Sequence, residues 1–332
     1  MTIGVIFTGG TIGSAQSAKG LAPSGEMPRR LLEDYKKRTE DGTAFPTAEP
    51  FTILSENLTF SSIRLLADCI REKSSEWDGI IVTHGTDTLQ YTAAALSYLL
   101  GLSSAPVVLV SSNYPLDDVR ANGLDNFCGA IDFLRQFPDA KGVYVAYKNT
   151  GEALKIHRGA RVLAHPAFSD DIVSLGTAAY EKKGENFAPV DGFFEREDAQ
   201  APFHGTELAD AEGKVLFLRV HPGMVYPALD GIAAVLLKAY HSGTLATDSE
   251  ALQRFAKSAM KKGIPVFLTG VPEGGTAYAS GNTFARLGLI VAPPLSPIAA
   301  YMKHCLAVGD RRDLLESLSL PLGGDLYPIT VL

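Results

Sequence analysis

The sequence predicts an α/β fold: a larger N-terminal, doubly wound, mainly parallel sheet followed by a smaller C-terminal α/β domain. Three observations carry that reading. Short, nearly continuous apolar strands alternate with helices through the first half, the pattern of parallel strands covered on both faces. The same alternation resumes after a charged stretch broken by Pro and Gly. At 332 residues the chain exceeds one domain of about 150.

Residues 3–7 (IGVIF) form a β-branched run that stops at Gly9-Gly10. An amphipathic stretch at 61–73 precedes a second strand at 78–83, and an Ala- and Leu-rich helix covers 88–100. A strand at 106–111, a helix at 122–136 and a strand at 142–147 continue the series. Right-handed crossovers then give a doubly wound sheet. The texture changes from about Glu181 to Gly213, so the expected boundaries are 1–184, a linker at 185–212, and 213–332. The second domain reads as a strand at 214–220, helices at 227–240 and 248–262, a strand at 265–269 and a helix at 297–308.

Composition excludes several classes. Lys and Arg total 30 against 37 Asp and Glu, a net charge of −7 with no basic block, which argues against a nucleic-acid partner. No apolar run approaches the ~20 residues of a membrane span, and the first ten residues lack the layout of a secretory leader, so the cytoplasm is the expected compartment. Cys69, Cys128 and Cys305 fit no metal or redox spacing and read as reduced thiols. The seven histidines never adopt a zinc-ligand spacing and no carboxylate cluster suggests another ion, so no metal is expected. A phosphate-cradling G-x-x-x-x-G-K-[ST] and a G-x-S-x-G nucleophile elbow are both absent from the sequence.

Two clusters carry chemistry. Thr8-Gly9-Gly10-Thr11-Ile12-Gly13 follows the first strand, with spacing G-G-x-x-G rather than the dinucleotide G-x-G-x-x-G. Alone it is either a tight turn or a weak sign of a nucleotide-dependent oxidoreductase. His84-Gly85-Thr86-Asp87-Thr88 follows the second strand directly before a helix. Ligands of doubly wound sheets sit outside the carboxyl ends of the strands, which puts Thr11 and Thr86 on one rim. A helix N-terminus there offers N–H groups to a carboxylate or oxyanion. Asp87 and Thr88 read equally as helix caps, although capping does not explain two hydroxyls on one rim.

TGGTIGS (Thr8 to Ser14) together with THGTDT (Thr83 to Thr88) resembles the paired signatures of the bacterial-type L-asparaginases and glutaminases. The resemblance extends to ILSENLTFSS (Ile53 to Ser62), to VSSNYPLDDVRANGLDNFCGAI (Val110 to Ile131) and to VHPGM (Val220 to Met224). It implies an amidohydrolase without a cofactor, acting on a small amino-acid substrate. Thr11 is then the nucleophile, forming a β-aspartyl ester that water hydrolyses. Thr86 and Asp87 lie across the substrate, Asp87 partly to hold its α-amino group. Ser55 and Glu56 bind its α-carboxylate and α-amino ends, Gly10 and Gly85 line the pocket, and backbone N–H groups near Thr11 and Ser112 serve the oxyanion. The family's assembly implies a homodimer or homotetramer.

The sequence also departs from that pattern. Ungapped local matches put Leu21 at the family's loop Tyr and Ala164 at its catalytic Lys. Neither side chain moves a proton, and a general base is worth ~10² to 10⁴ in rate. Three readings follow: another base among Lys155, Arg161 and His165, with His165 the best suited by intrinsic pKa; a different amide substrate; or an amino-acid-binding protein that hydrolyses little. In the second half, His241 to Ala246 stands where the family has a G-x-G-N-A-P stretch that serves a neighbouring subunit's site.

Overall fold

The computed structural model describes residues 1–10, 12, 14–17, 20–23, 27–102, 104–272, 275–276 and 278–328. The chain runs through β1 (Ile3–Phe7), a hairpin of β2 (Ser14–Ser17) and β3 (Gly20–Pro23), α1 (Met27–Thr39), β4 (Thr47–Ala48) and α2 (Phe60–Lys73). Next come β5 (Gly79–Thr83), α3 (Leu89–Leu100), β6 (Val107–Val110), α4 (Gly123–Gln136), β7 (Val143–Tyr147), β8 (Lys155–Arg158), β9 (Tyr180–Lys183) and β10 (Asn186–Pro189). The remainder is β11 (Val215–Arg219), β12 (Ala234–Lys238), α5 (Glu250–Lys262), β13 (Val266–Thr269), β14 (Leu289–Val291), α6 (Pro297–Gly309) and α7 (Leu314–Ser319).

Eight strands form the larger sheet in the order β10-β9-β8-β7-β6-β5-β1-β4. The five strands from β7 to β4 are mutually parallel, and β8, β9 and β10 add an antiparallel extension. The central strands are buried along their whole length because alternate side chains enter two separate cores. Ile6, Ile80, Val82, Leu109 and Val145 face the layer of α2 and α3. Val5, Phe7, Ile81, Val108 and Tyr144 join a second core with residues of α1 and α4. The smaller sheet is parallel throughout, β11-β12-β13-β14. The doubly wound α/β class read from the sequence is therefore the fold observed.

One expected element is corrected. Residues 227–240, expected as a helix, hold an irregular segment and then β12, the second strand of the smaller sheet. AVLLK has helix-forming residues, but a short apolar run buried between two neighbouring strands cannot be told from a buried helix by periodicity. Pro227 and the left-handed Gly231 (φ 74°) end any helical register before it. The residues expected as a linker contribute β10 to the larger sheet. β10 itself (NFAP) carries no charge; the charged residues that flank it in sequence, Lys182, Lys183 and Glu185 before it and Asp191 after it, give the segment the texture of a linker.

The chain closes back on its first half. α3 is buried on nearly every side, since α6 packs against it and places Met302, Cys305 and Leu306 in the α2/α3 core. Lys303 and Asp325, each 0% exposed, pair at 2.7 Å in this contact. The Lys303 ammonium also donates to the Leu320 carbonyl, and the Tyr98 hydroxyl of α3 donates to the Asp325 carboxylate at 3.1 Å. Among the described residues no helix is long and apolar enough to cross a membrane.

The buried polar groups set how stability should respond to mutation and to pH. Removing one member of a buried ion pair leaves the other charged and unpaired, so Asp325→Ala is expected to lose about 3–5 kcal/mol in urea unfolding. Lys303→Met combined with Asp325→Leu should recover most of that loss; a double variant as unstable as the single one speaks against this role. Burial also holds the imidazoles of His157 and His304 down to about 4, from an ordinary 6.5. Between those values the unfolded chain binds protons that the folded chain refuses, so stability falls as pH drops from about 6.5 towards 4. At pH 5 the loss is roughly 2 kcal/mol per histidine, and a urea midpoint unchanged between pH 7 and pH 5 contradicts it.

Candidate functional site

The site follows from strand register. β1 and β5 pair in parallel from Ile3↔Gly79 to Phe7↔Thr83, so both strands end level. β4 lies on one side of β1 and β5 on the other, which makes this pair the point where the winding of the sheet reverses. A crevice opens at such a point, beyond the carboxyl ends of the strands. Thr8-Gly9-Gly10 and His84-Gly85-Thr86-Asp87 leave the two strands into it side by side.

Close backbone approach explains the glycines. Gly9 and Gly10 have φ of 95° and 75°, a left-handed conformation that L side chains rarely adopt. A Cβ on Gly10 would stand 2.2 Å from the backbone nitrogen of Gly85, and one on Gly85 would stand 2.3 Å from Ser55 Oγ. Ser55 reaches this position because Gly9 bridges Ile53 in parallel, with the Ile53 N–H donating to Thr8 and the Gly10 N–H to Ile53. A 3-10 turn at Ser55–Asn57 then presents Ser55 buried and Glu56 exposed. Ser55 Oγ lies 3.5 Å from Asp87 Oδ2, and the Thr88 hydroxyl donates to the Ser55 carbonyl at 2.9 Å. Three separate segments therefore meet within a few ångströms.

The reading of Thr88 as a side-chain cap is corrected: Thr88 makes no capping bond to α3 and is committed instead to Ser55. His84 positions the second turn. Its imidazole, fully buried, meets the Gly85 carbonyl at Nδ1 (2.8 Å) and the Thr92 hydroxyl at Nε2 (2.9 Å). A neutral ring protonated at Nδ1 satisfies both contacts, and burial holds its pKa down. The sequence reads the histidines as structural or surface residues more readily than ligands, and His84 takes the structural part.

The other expected residues divide. Thr86 and Asp87 line a cavity of about 420 Å³ with Gln90, Ala164, His165 and Asp170. Residues 164–171 reach it as a loop between Leu163 and Val173, whose backbones pair at 2.9 Å. Ser112, two residues beyond β6, is buried, and its hydroxyl serves its own loop, donating to the Tyr114 carbonyl and accepting from the Gly123 N–H. Thr11 lies outside the described residues, as does Gly13; Leu21 falls in β3. Of the three replacement bases considered, Lys155 pairs with Glu152 at 2.7 Å on β8. Arg161 is fully buried and donates to the Gly324 and Leu326 carbonyls. Among these three, His165 alone lines the cavity with Thr86 and Asp87. Gln90 was missed, although a lone Gln among LQYTAAALSYLL was the available signal. Among the described residues no group of three His, Cys, Asp or Glu could hold a metal ion.

A crevice at the reversal point of a doubly wound sheet, floored by two glycine turns and walled by a helix N-terminus, defines the structural class of the site. The chain belongs to the asparaginase family: the family pattern described as Asparaginase, N-terminal matches residues 2–172, more than half of its length. It is 29% identical over 333 residues to the L-asparaginase of Thermococcus kodakarensis, covering 95% of each chain. It is 26% identical to L-asparaginase 1 of Escherichia coli K12, covering 98% of each. A glutamyl-tRNA(Gln) amidotransferase subunit of Pyrococcus furiosus is 27% identical over 99% of this chain and 77% of its own. The solved structure of the thermostable Thermococcus kodakarensis L-asparaginase superposes with a TM-score of 0.79 at 25% identity, over 98% of this chain and 99% of that one.

Gly10→Ala tests the packing of the turns. Left-handed strain and a backbone clash together are expected to lose at least about 3 kcal/mol in urea unfolding. Gly42→Ala meets nothing within 4 Å and should stay within about 0.5 kcal/mol of the wild type. Equal effects of the two substitutions would contradict a backbone contact at Gly10.

Proposed function

We propose that this chain is an amidohydrolase of the L-asparaginase type, hydrolysing the side-chain amide of asparagine or a related amide to the acid and ammonia. The observation that carries the proposal is the meeting of Gly10, Ser55, Gly85 and Asp87 at the ends of β1 and β5. Thr11, one residue beyond Gly10, is the nucleophile: its hydroxyl oxygen adds to the amide carbon, and the nitrogen leaves as ammonia. Water then cleaves the resulting ester. Asp87 holds the substrate's ammonium, with Ser55 and Glu56 at its α-carboxylate and α-amino end. Backbone N–H groups near Thr11 and Ser112 stabilise the tetrahedral oxygen. The chemistry uses no cofactor, and the working unit is a homodimer or homotetramer.

Ala164 beside Thr86 and Asp87 favours a second reading. With no lysine at that place in the sequence, an amino-acid-binding protein with little hydrolysis fits the same crevice. Ammonia release from asparagine and from glutamine, by the wild type and by Thr11→Ala, separates the two. A nucleophile's loss is expected to lower release at least about 10³-fold, while aspartate still raises the melting temperature of the variant. Equal release from both proteins contradicts Thr11 as nucleophile. No release from the wild type, with aspartate still raising its melting temperature, supports the binding protein instead.

A further inference from the structure

We propose that His165 is the proton acceptor of this site and that Gln90 positions the group from which it takes the proton. The inference rests on the hydrolase reading above and names the base that reading requires.

Both residues line the cavity that Thr86 and Asp87 also line. The imidazole of His165 is anchored through one nitrogen, Nδ1 standing 3.1 Å from the Asp171 carbonyl. A carbonyl only accepts, so Nδ1 carries the proton and Nε2 of the neutral ring carries a lone pair. Nε2 has no hydrogen-bond partner among the described residues and is shielded from solvent. Gln90, 5% exposed in the first turn of α3, repeats the pattern. Its amide nitrogen donates to the Asp87 carbonyl at 3.0 Å, which orients the side chain and leaves Oε1 buried without a partner. Buried polar atoms without partners are rare in native proteins and call for a reason. Here two residues that line one cavity each carry an acceptor without a partner, held in place by the other end of its own side chain.

The surroundings suit an arriving proton. Asp87 and Asp170 line the same cavity, and no Lys or Arg stands among its described lining residues. Among the described lining residues, the charges that an imidazolium formed there would meet are those of Asp87 and Asp170. His165 also follows directly on Ala164, so a titratable nitrogen is displaced by one residue along the same loop instead of being lost.

The proton balance closes over both halves of the reaction. As the Thr11 oxygen bonds to the amide carbon, its proton passes to Nε2, directly or through one water, and the ring becomes an imidazolium. When the carbon–nitrogen bond breaks, that proton goes to the departing nitrogen, which leaves as ammonia. Water then adds to the acyl carbon and yields a proton to Nε2. The same proton returns to the Thr11 oxygen as the ester bond breaks. Gln90 Oε1 accepts from the hydroxyl or water in transit and keeps it in line.

Steady-state ammonia release from asparagine, measured on the wild type, His165→Gln and His165→Ala, tests this. Gln keeps an acceptor but is no base, so kcat of His165→Gln should fall by about 10² or more, with KM, aspartate affinity and melting temperature near wild type. Added imidazole should raise the rate of His165→Ala at least tenfold and leave the wild type unchanged. Gln90→Met should lower kcat by a smaller factor, about tenfold. A kcat for His165→Gln within threefold of wild type overturns the proposal, as does a loss that only tracks a lower melting temperature. If His165→Gln fails to fold, the response of His165→Ala to imidazole decides: a rising rate supports the proposal and a flat one overturns it. A wild type that releases no ammonia from any amide overturns the hydrolase reading and this inference with it, whereas an active wild type with an indifferent His165 overturns the inference alone.

Discussion

Everything at the candidate site depends on contact between two stretches of backbone. Gly10 and Gly85 touch main chain to main chain, and Ser55 closes over the second glycine. Such an approach is closed to any residue with a Cβ, so side-chain packing cannot substitute for it. It also rests on the sheet beneath, because β1 and β5 bring the two turns level only in their observed register. A one-residue slip of either strand would exchange its two faces and separate the turns. The hydrophobic cores therefore act on the chemistry at a distance: Ile6 and Val82 on one face, Val5 and Ile81 on the other, hold that register.

Polar side chains in the crevice are placed by contacts to backbone more than to one another. His84 is held by a carbonyl and a helix hydroxyl, Thr88 donates to the Ser55 carbonyl, and Gln90 donates to the Asp87 carbonyl. Each such bond satisfies a group that would be costly to bury unpaired. Each also removes a rotamer choice near the ligand space. The result is a pre-set wall around Asp87, assembled from α3 and the 53–57 segment.

Much of this was legible in the sequence, for a local reason. The runs at 3–7 and 78–83, with the turns after them, are short-range signals, and their pairing follows from the rules of parallel sheets. Ser55 was placed by resemblance, since nothing in ILSENL alone says that it meets Gly85. The strand at Ala234–Lys238 was unreadable because its burial comes from neighbours far along the chain. The edge strand β10 looks like linker for another reason: four uncharged residues between charged neighbours carry no strand pattern of their own, and become a strand by pairing with β9. Gln90 and His165 became visible only when a helix turn and a distant loop were seen to share one cavity.

The buried Arg161 has a consequence for the order in which this architecture is completed. Its guanidinium, three residues before Ala164, takes the Gly324 and Leu326 carbonyls as partners. One wall of the crevice is thus tethered to segments synthesised some 160 residues later. On the ribosome the sheet, the glycine turns and Ser55 emerge early. The loop bearing His165 is closed locally by the Leu163–Val173 pairing, and the Arg161 stem beneath it is completed only when residues 324–326 are in place.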